Sequence, residues 1–241
     1  MRVRLQKIVS QAGLTSRREA ERWIREGRIE VNGHVIHDMG VRVDPERALI
    51  LVDGRRLPRP RGRLVVALYK PRGVITSMRD PQGRTTVRDL LKRMRERLYP
   101  VGRLDYQSEG LLLMTNDGDL AARLMAPRHA CPKVYEVKVR GKPAQSLLDR
   151  LRQGIHLRGR RTLPAEIERL RGRQNSWLRV QIVEGRKNQI REMFQRIGHP
   201  VQKLRRVRIG SLGLGKLRPG EYRVLSEREI ERLRAGPRER S

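Results

Sequence analysis

The sequence predicts an α+β protein in two parts: a small N-terminal module of helices and short strands, and a larger domain with a mixed, mostly antiparallel sheet flanked by helices. Three observations lead to this fold class. Two short helical patterns open the chain, the later strand patterns outnumber the helices, and no regular alternation of strand and helix is present. Two prolines and one glycine within 58–63 indicate a semi-rigid linker. We therefore expect domains at 1–57 and 64–241, joined by a linker at 58–63.

The N-terminal module begins with two amphipathic helices. The first has four apolar residues on one face: Leu5, Ile8, Val9 and Ala12. Gly13 ends it, and Ser16 followed by Glu19 is a capping signature, so a second helix begins there and ends at Gly27. The pattern at 29–35, with Asn-Gly at 32–33, then predicts a hairpin with a two-residue turn.

The second helix presents five arginines outward: Arg17, Arg18, Arg22, Arg25 and Arg28. A solvated helix face is the usual explanation for such a charge run. Here only Glu19, Glu21 and Glu26 are interspersed, which favours contact with phosphates.

The charge balance points to a polyanionic partner. Lys plus Arg number 56 against 26 Asp plus Glu, for a formal net charge of +30. No apolar run approaches the ~20 residues of a membrane span, and the N-terminus lacks the apolar segment of a signal peptide. We therefore expect nucleic acid as partner, no membrane, and a cytoplasmic location. One cysteine and five histidines without metal-ligand spacing predict neither a disulfide nor a metal site.

The larger domain is organised around the segment 100–118. The apolar run 111–115, ended by the turn at 116–118, predicts a strand buried on both faces, with Asp105 at its edge. Gly102 and Gly110 allow the intervening loop to carry Asp105 and Arg103 to a cleft, on one side of the chain. Taken alone, these residues are also consistent with a loop aspartate that caps its own backbone or pairs with Arg103.

Other patterns complete the domain. We expect strands at 64–69 and 74–77, a helix at 87–98, a short helix after the Asp105 segment, a helix at 142–153, strands at 155–158, 164–170, 176–183, 201–209 and 221–225, and a terminal helix from 226. The strand 133–139 alternates, with Tyr135 on the core-facing side. Tyr135 is then either a core residue or a stacking platform for a base.

The segment 184–189 leads into a helix with an apolar stripe at 190, 193, 194 and 197. Arg186, Lys187 and Arg191 crowd its first turn, where cations oppose the helix macrodipole. An anion bound there, carboxylate or phosphate, would explain the arrangement, and a plain basic surface is the alternative. The chain has no phosphate-binding P-loop, no nucleophile elbow and no complete dinucleotide fingerprint, so we expect no cofactor.

Several segments together resemble a known family. The helix order and the Val-Asn-Gly turn within 2–52 are similar to the S4 RNA-binding domain. GRLD with GLLLMTNDG at 102–118, KVYEV at 133–137 and EGRKNQIREMF at 184–194 resemble the signature segments of the RsuA/RluB branch of pseudouridine synthases. The resemblance implies that the protein isomerises one uridine of ribosomal RNA to pseudouridine without a cofactor.

The resemblance also implies roles for individual residues. Asp105 corresponds to the essential aspartate, Tyr135 to the aromatic residue packed on the target uracil, and Arg191 to the basic residue paired with the aspartate. Arg103 matches a residue thought to help displace the target nucleotide. Gln107 stands where the family usually has an acidic residue, and Asn188 where it often has His; both positions flank the motifs and bear on the RNA target rather than on the chemistry.

We expect ribosomal RNA as the partner, with 23S favoured over 16S, free or within a pre-ribosomal particle, and a monomeric enzyme. The basic residues expected to contact RNA are Arg103, Arg17, Arg18, Arg22, Arg25, Arg186 and Lys187. Two alternatives are a non-catalytic S4-type RNA-binding or ribosome-assembly protein, and an RNA-modifying enzyme of other chemistry, such as a methyltransferase. The sequence leaves open whether Asp105 forms a base adduct or acts by a glycal route.

Overall fold

The computed structural model describes residues 1–58, 62–126, 129, 131–172 and 174–236. The chain divides into two compact units. The N-terminal unit comprises Met1–Arg63, Arg95–Arg97 and Asn116–Gly118, and the C-terminal unit comprises Leu64–Met94, Leu98–Thr115 and Asp119–Ser241. Residues 59–61 of the expected linker lie outside the described residues. None of the described helices has the length and apolar character needed to cross a membrane.

The N-terminal unit contains two helices and six short strands. In chain order these are β1 (Val3–Arg4), α1 (Leu5–Gln11), α2 (Arg17–Arg25), β2 (Ile29–Val31), β3 (His34–Val35), β4 (Arg42–Val43), β5 (Ile50–Val52) and β6 (Arg55–Arg56). β1 pairs with β4, and the order β3-β2-β5-β6 forms a small antiparallel sheet. The inner faces of both helices and of this sheet share one apolar cluster, which includes Leu5, Ile24 and Ile29.

Local chemistry sets the boundaries of these elements, as predicted. The Ser16 hydroxyl accepts a hydrogen bond from the Glu19 backbone N–H at 3.2 Å, which caps the start of α2. Between β2 and β3, Asn32 and Gly33 have φ of 52° and 84°, the pair of positive angles that a type I′ hairpin turn requires. The predicted hairpin is therefore confirmed.

Apart from Gly118 at the start of α3, the remaining helices and strands lie in the C-terminal unit. These are β7 (Val65–Lys70), β8 (Tyr99–Val101), β9 (Glu109–Thr115), α3 (Gly118–Met125), β10 (Lys133–Val139), α4 (Gln145–Gln153), β11 (His156–Leu157), β12 (Arg160–Arg161), β13 (Glu166–Arg171), β14 (Trp177–Ile182), α5 (Gln189–Arg196), β15 (Val201–Ile209), β16 (Leu212–Gly213), β17 (Tyr222–Val224) and α6 (Glu227–Ala235). The main sheet has the order β13-β14-β10-β15-β9-β7-β17, with β16 beside β15 and β8 beside β9. Among its described pairings, β9 with β15 is parallel and the others are antiparallel.

This sheet is covered on both faces, because alternate residues of its central strands belong to two different apolar clusters. Leu112 and Met114 of β9 pack in one cluster with α4 and α5, whereas Leu111 and Leu113 pack in the other with α3 and α6. The five residues 111–115 are fully buried, as the apolar run predicts. Burial of each leucine stabilises the fold by about 1.5–3 kcal/mol.

Two predicted elements are wrong. The region 87–98 forms only a 3-10 turn at Asp89–Leu91. Its spacing of apolar residues is helical, but Arg88 and Lys92, and Arg93 and Arg97, are like charges four residues apart, which destabilise a helix. The expected strand 74–77 reduces to one isolated bridge, between Ile75 and Thr86.

Candidate active site

The loop that carries Asp105 connects β8 to β9, and residues 102–108 are called the Asp105 loop below. Asp105 itself is partly exposed, while Leu104 and Ser108 on either side of it are buried. The Thr76 hydroxyl donates to the Leu104 carbonyl at 2.7 Å, and the Leu104 N–H donates back to the same hydroxyl at 3.2 Å. The backbone next to Asp105 is therefore fixed, and the carboxylate is presented from a rigid position.

A buried lysine lies against the other end of the Asp105 loop. Lys70, the last residue of β7, is 0% exposed, and its ammonium donates to the carbonyls of Pro71 at 2.9 Å and Ser108 at 2.8 Å. Burial lowers the pKa of Lys70 to about 8, although the negative charges of Asp105 and Glu109 oppose that shift. Lys70 thus joins the loop to the turn that follows β7 and places a cation near Asp105.

A second buried cation, Arg206 of β15, contacts both the Asp105 loop and the strand β9 that follows it. Its side chain is 2% exposed; Nε donates to the Leu111 carbonyl at 2.7 Å and one terminal nitrogen donates to the Arg103 carbonyl at 3.4 Å. The other terminal nitrogen is buried and has no hydrogen-bond partner among the residues that the structure describes. Within the described part of the chain, neither Lys70 nor Arg206 forms an ion pair with a carboxylate.

The two cations belong to one row of residues across four adjacent strands. Tyr135 of β10 pairs with Arg206 of β15, Arg206 pairs with Gly110 of β9, and Gly110 pairs with Lys70 of β7. Gly110 has φ of 109°, and a Cβ there would lie 2.2 Å from the Arg206 carbonyl oxygen. Only glycine therefore lets β15 approach β9 this closely at the point where the Asp105 loop ends.

Tyr135 is 7% exposed and lies in the apolar cluster shared with α4 and α5. It is thus a core residue in this structure, at the same sheet face as Lys70 and Arg206.

Arg191 of α5 contacts the backbone of the Asp105 loop. One of its terminal nitrogens donates to the Gln107 carbonyl at 3.0 Å and to the Ser108 hydroxyl at 3.2 Å. Burial lowers the pKa of Arg191, and the charge of Asp105 opposes this shift. Among the described residues no ion pair joins Arg191 to Asp105, so Arg191 acts on the carboxylate through its charge and through the loop backbone.

The loop is also contacted from the turn after β7, where the Arg72 guanidinium donates to the Gln107 side-chain oxygen. Arg103 has an exposed side chain, at the surface of the loop. Thus the structure brings Asp105, Arg103 and Arg191 together, with Tyr135 in the adjoining sheet row.

The other predicted basic residues belong to the two units. On α2, Arg17, Arg18, Arg22 and Arg25 are exposed, and Arg22 pairs with Glu19 and with Glu26. In the C-terminal unit, Arg186 donates to the Glu184 carboxylate at 2.9 Å and to the carbonyls of two hairpin residues, whereas Lys187 is exposed.

Lys70 and Arg206 are functional candidates that sequence reasoning missed. The available signals were a lysine that ends the otherwise apolar strand Val65–Lys70, and an arginine two residues from buried Leu204, hence on the same strand face. No group of three or more described His, Cys, Asp or Glu side chains is arranged to hold a metal ion.

A single carboxylate, fixed on a rigid loop beside buried cations in a strongly basic chain, is the arrangement expected of an enzyme that acts on a polyanion. Known proteins specify the class further. Residues 64–196 match the RNA pseudouridylate synthase family, and residues 3–49 match the S4 domain. The chain therefore belongs to the RNA pseudouridylate synthase family and carries an S4 domain.

Individual relatives agree over nearly the whole length. The chain is 44% identical over 235 residues to the Bacillus subtilis (strain 168) protein named ribosomal large subunit pseudouridine synthase B, covering 96% of each chain. It is equally 44% identical to an RNA pseudouridine synthase of Aquifex aeolicus (strain VF5), covering 97% of this chain and 94% of the relative.

A crystal structure of a pseudouridylate synthase superposes with a TM-score of 0.69 at 31% identity, covering 96% of this chain and 99% of that one. The predicted fold class and the resemblance to pseudouridine synthases are confirmed. The alternative of a non-catalytic binding protein is set aside, because the family matched by residues 64–196 is a family of enzymes.

Proposed function

We propose that this protein converts one uridine of ribosomal RNA to pseudouridine, with Asp105 as the catalytic carboxylate. The observation that carries the proposal is the Asp105 loop, which Thr76, Lys70, Arg206 and Arg191 fix by hydrogen bonds while the carboxylate stays accessible. The name of the Bacillus subtilis relative supports RNA of the large subunit, 23S, over 16S.

The reaction breaks the N1–C1′ glycosidic bond of the uridine, turns the base, and forms a C5–C1′ bond. C5 loses its hydrogen as a proton and N1 gains one, so atoms and electrons balance without a co-reactant. An ionised carboxylate can either attack the sugar or base to hold the intermediate, or remove the C2′ proton to give a glycal. A primary isotope effect with 2′-deuterated uridine indicates the glycal route, and its absence indicates the adduct route.

Positive charge around Asp105 supports both routes. The attraction between a carboxylate and nearby cations strengthens as water is excluded and the effective dielectric falls. Arg191 and Lys70 both act electrostatically on Asp105. In this proposal they keep the carboxylate reactive once the substrate has excluded water.

Binding of the substrate is assigned to basic residues outside the reacting centre. The target nucleotide must leave its stack, at a cost of a few kcal/mol. In this proposal Arg103, which is exposed on the Asp105 loop, enters that space, and Tyr135 makes the aromatic contact with the extruded base. Arg17, Arg18, Arg22 and Arg25 of α2, with Arg186 and Lys187, contribute contacts to the RNA backbone.

The proposed enzyme works as a monomer in the cytoplasm, on ribosomal RNA that is free or in a pre-ribosomal particle. The test is a pseudouridine map of ribosomal RNA from cells with and without this protein, with purified protein added back to the unmodified RNA. We expect one position in 23S RNA to lose pseudouridine and to regain it on addition. An unchanged map contradicts the proposal, and a single affected position in 16S RNA contradicts only the choice of subunit.

A further inference from the structure

The C-terminal unit contains a cavity of about 160 Å³ beside the first turn of α5, called the basic pocket here. Its walls are the hairpin β11–β12 and the turn before α5. Four of its lining residues are cations, Arg158, Arg160, Arg186 and Lys187, and one is an anion, Glu192.

Hydrogen bonds hold the two walls of the basic pocket together. Arg186 donates to the Glu184 carboxylate at 2.9 Å and to the Arg160 carbonyl at 3.0 Å, which joins the turn to the hairpin. Arg158, at the hairpin tip, forms an ion pair with Glu192 of α5. Arg158 has φ of 50°, a conformation that a non-glycine residue rarely adopts. The hairpin is thus joined to the segment that leads into α5 by hydrogen bonds from Arg186, and to α5 itself by an ion pair.

The charges of the pocket are only partly compensated. Arg186 and Arg158 are each paired with a glutamate, but Arg160 and Lys187 are exposed and form no ion pair with any residue in the described ranges. Two cations at the rim of a concave site suit an anion with several acceptor oxygens, and a phosphodiester is the group of that kind in RNA.

The position of the pocket relates it to the Asp105 loop. α5 lines the pocket with Gln189 and Glu192, and the same helix contacts the loop through Arg191. Arg191 lies between Gln189 and Glu192 in α5, where each residue advances about 1.5 Å along the helix axis. One RNA strand can therefore place a uridine at Asp105 and a nearby phosphate in the pocket.

We propose that the basic pocket binds a backbone phosphate of a nucleotide that flanks the target uridine, through Arg160 and Lys187. This inference rests on the proposed function, since the pocket is a subsite of the same RNA substrate. Phosphate contacts fix the register of a nucleic acid on a protein. The pocket therefore helps to determine which uridine reaches Asp105.

The test compares two double variants that remove the same charge. Arg160→Gln with Lys187→Gln removes the two unpaired pocket cations. Lys216→Gln with Arg228→Gln is the matched control, because both side chains are exposed and belong to the segments that cover the opposite face of the sheet. The ligand is a labelled ribosomal RNA fragment that contains the mapped uridine, and its Kd is measured from 50 to 300 mM KCl. These concentrations span roughly the range in which phosphate contacts dominate the salt dependence.

We expect the pocket variant to raise Kd about tenfold and to lower the log–log salt slope by about 0.7–0.9, the amount for one phosphate contact. It should also modify uridines next to the target more often than the wild type does. The control variant should resemble the wild type in all three measurements. Equal behaviour of the two double variants overturns the proposal.

Titration with inorganic phosphate identifies the source of the anion. If phosphate binding is lost in the pocket variant while its RNA affinity stays at the wild-type value, the pocket is a site for a free anion and the proposal is wrong. A wild-type protein that binds the fragment but forms no pseudouridine contradicts the proposed function, whereas the comparison of the two variants still decides the pocket.

Discussion

Because Lys70 is buried, replacing it in the variant Lys70→Met should change how the free energy of unfolding depends on pH. The side chain is 0% exposed, and its pKa falls from 10.5 to about 8 because burial disfavours the ammonium. The unfolded chain has the ordinary value. Between pH 8 and pH 10.5 the unfolded state therefore binds a proton that the folded state has lost, so the Lys70 contribution to stability rises with pH across this window.

The size of the effect follows from the shift. One pKa unit corresponds to 1.36 kcal/mol, so the shift corresponds to about 3 kcal/mol in total, of which about 2.5 kcal/mol develops between pH 7 and pH 10. Lys70→Met also removes the donor to the partly buried Pro71 carbonyl and to the buried Ser108 carbonyl, and the loss at Ser108 costs about 1–3 kcal/mol. That loss does not depend on pH, so the change with pH isolates the charge.

The assay is equilibrium urea unfolding at several pH values. A Trp23→Phe background leaves Trp177 as the one tryptophan, so fluorescence reports on the C-terminal unit. The stability of the Lys70 protein minus that of Lys70→Met should increase by about 2.5 kcal/mol from pH 7 to pH 10. Asp105→Asn should move the start of this rise to lower pH, because the Asp105 charge favours the protonated lysine. A difference that stays constant with pH would refute the account of Lys70 as a buried cation.

Three further predictions concern the row across the sheet, the aromatic contact and the S4 unit. Gly110→Ala should lower the free energy of unfolding of the C-terminal unit by about 3 kcal/mol or more in urea, because the added Cβ meets the Arg206 backbone. Gly102→Ala is the control: its φ is 75° but its Cβ would lie in open space, so it should cost about 1 kcal/mol. Similar costs for the two variants would contradict the close approach of β9 and β15. Tyr135→Leu keeps an apolar side chain in the core but removes the aromatic ring, so the variant should fold yet lose about 1–3 kcal/mol of transition-state stabilisation in single-turnover assays. Tyr135→Phe retains the ring and should retain the activity. A fully active Leu variant would leave Tyr135 with a packing role only. Arg17, Arg18 and Arg25 of α2 form no ion pair with any described residue. Replacing these three arginines by glutamine should lower the salt slope of RNA binding by about 0.7–0.9 for each lost phosphate contact, and an unchanged slope would place the RNA elsewhere.

Much of the fold could be predicted because its signals are local. The Asn32–Gly33 turn, the Ser16 cap and the buried run at 111–115 each depend on residues close together in sequence. The region 87–98, predicted as a helix, shows that a helical spacing of apolar residues does not by itself produce a helix. Its apolar spacing is helical, but side-chain repulsion and packing of the buried Val87, Leu91 and Leu98 leave only one turn.

The candidate site was predictable only in part. Asp105 and Arg191 stand in recognisable segments, so the sequence indicated them, although the structure shows Arg191 on the loop backbone and not in an ion pair with the carboxylate. Lys70 and Arg206 meet through pairing of β7, β9 and β15, strands far apart in the chain. Neither periodicity nor a local motif specifies that register, and the partner of each cation is a backbone carbonyl, which sequence alone does not reveal.

Single-turnover release of tritium tests most directly whether Asp105 performs the chemistry. RNA carrying 5-tritiated uridine is mixed with saturating enzyme in a single turnover, and tritium released to water reports the loss of the C5 hydrogen. The variants are Asp105→Asn, which keeps the size of the side chain but removes its charge and nucleophile, and Glu109→Gln, which removes a neighbouring carboxylate. RNA affinity is measured beside them.

We expect Asp105→Asn to release no tritium while it folds and binds RNA as the wild type does, because only the reacting group is lost. Glu109→Gln should still release tritium, since its charge acts on Lys70 and takes no part in the reaction. Tritium release by Asp105→Asn at the wild-type rate would contradict the assignment of Asp105 as the catalytic carboxylate.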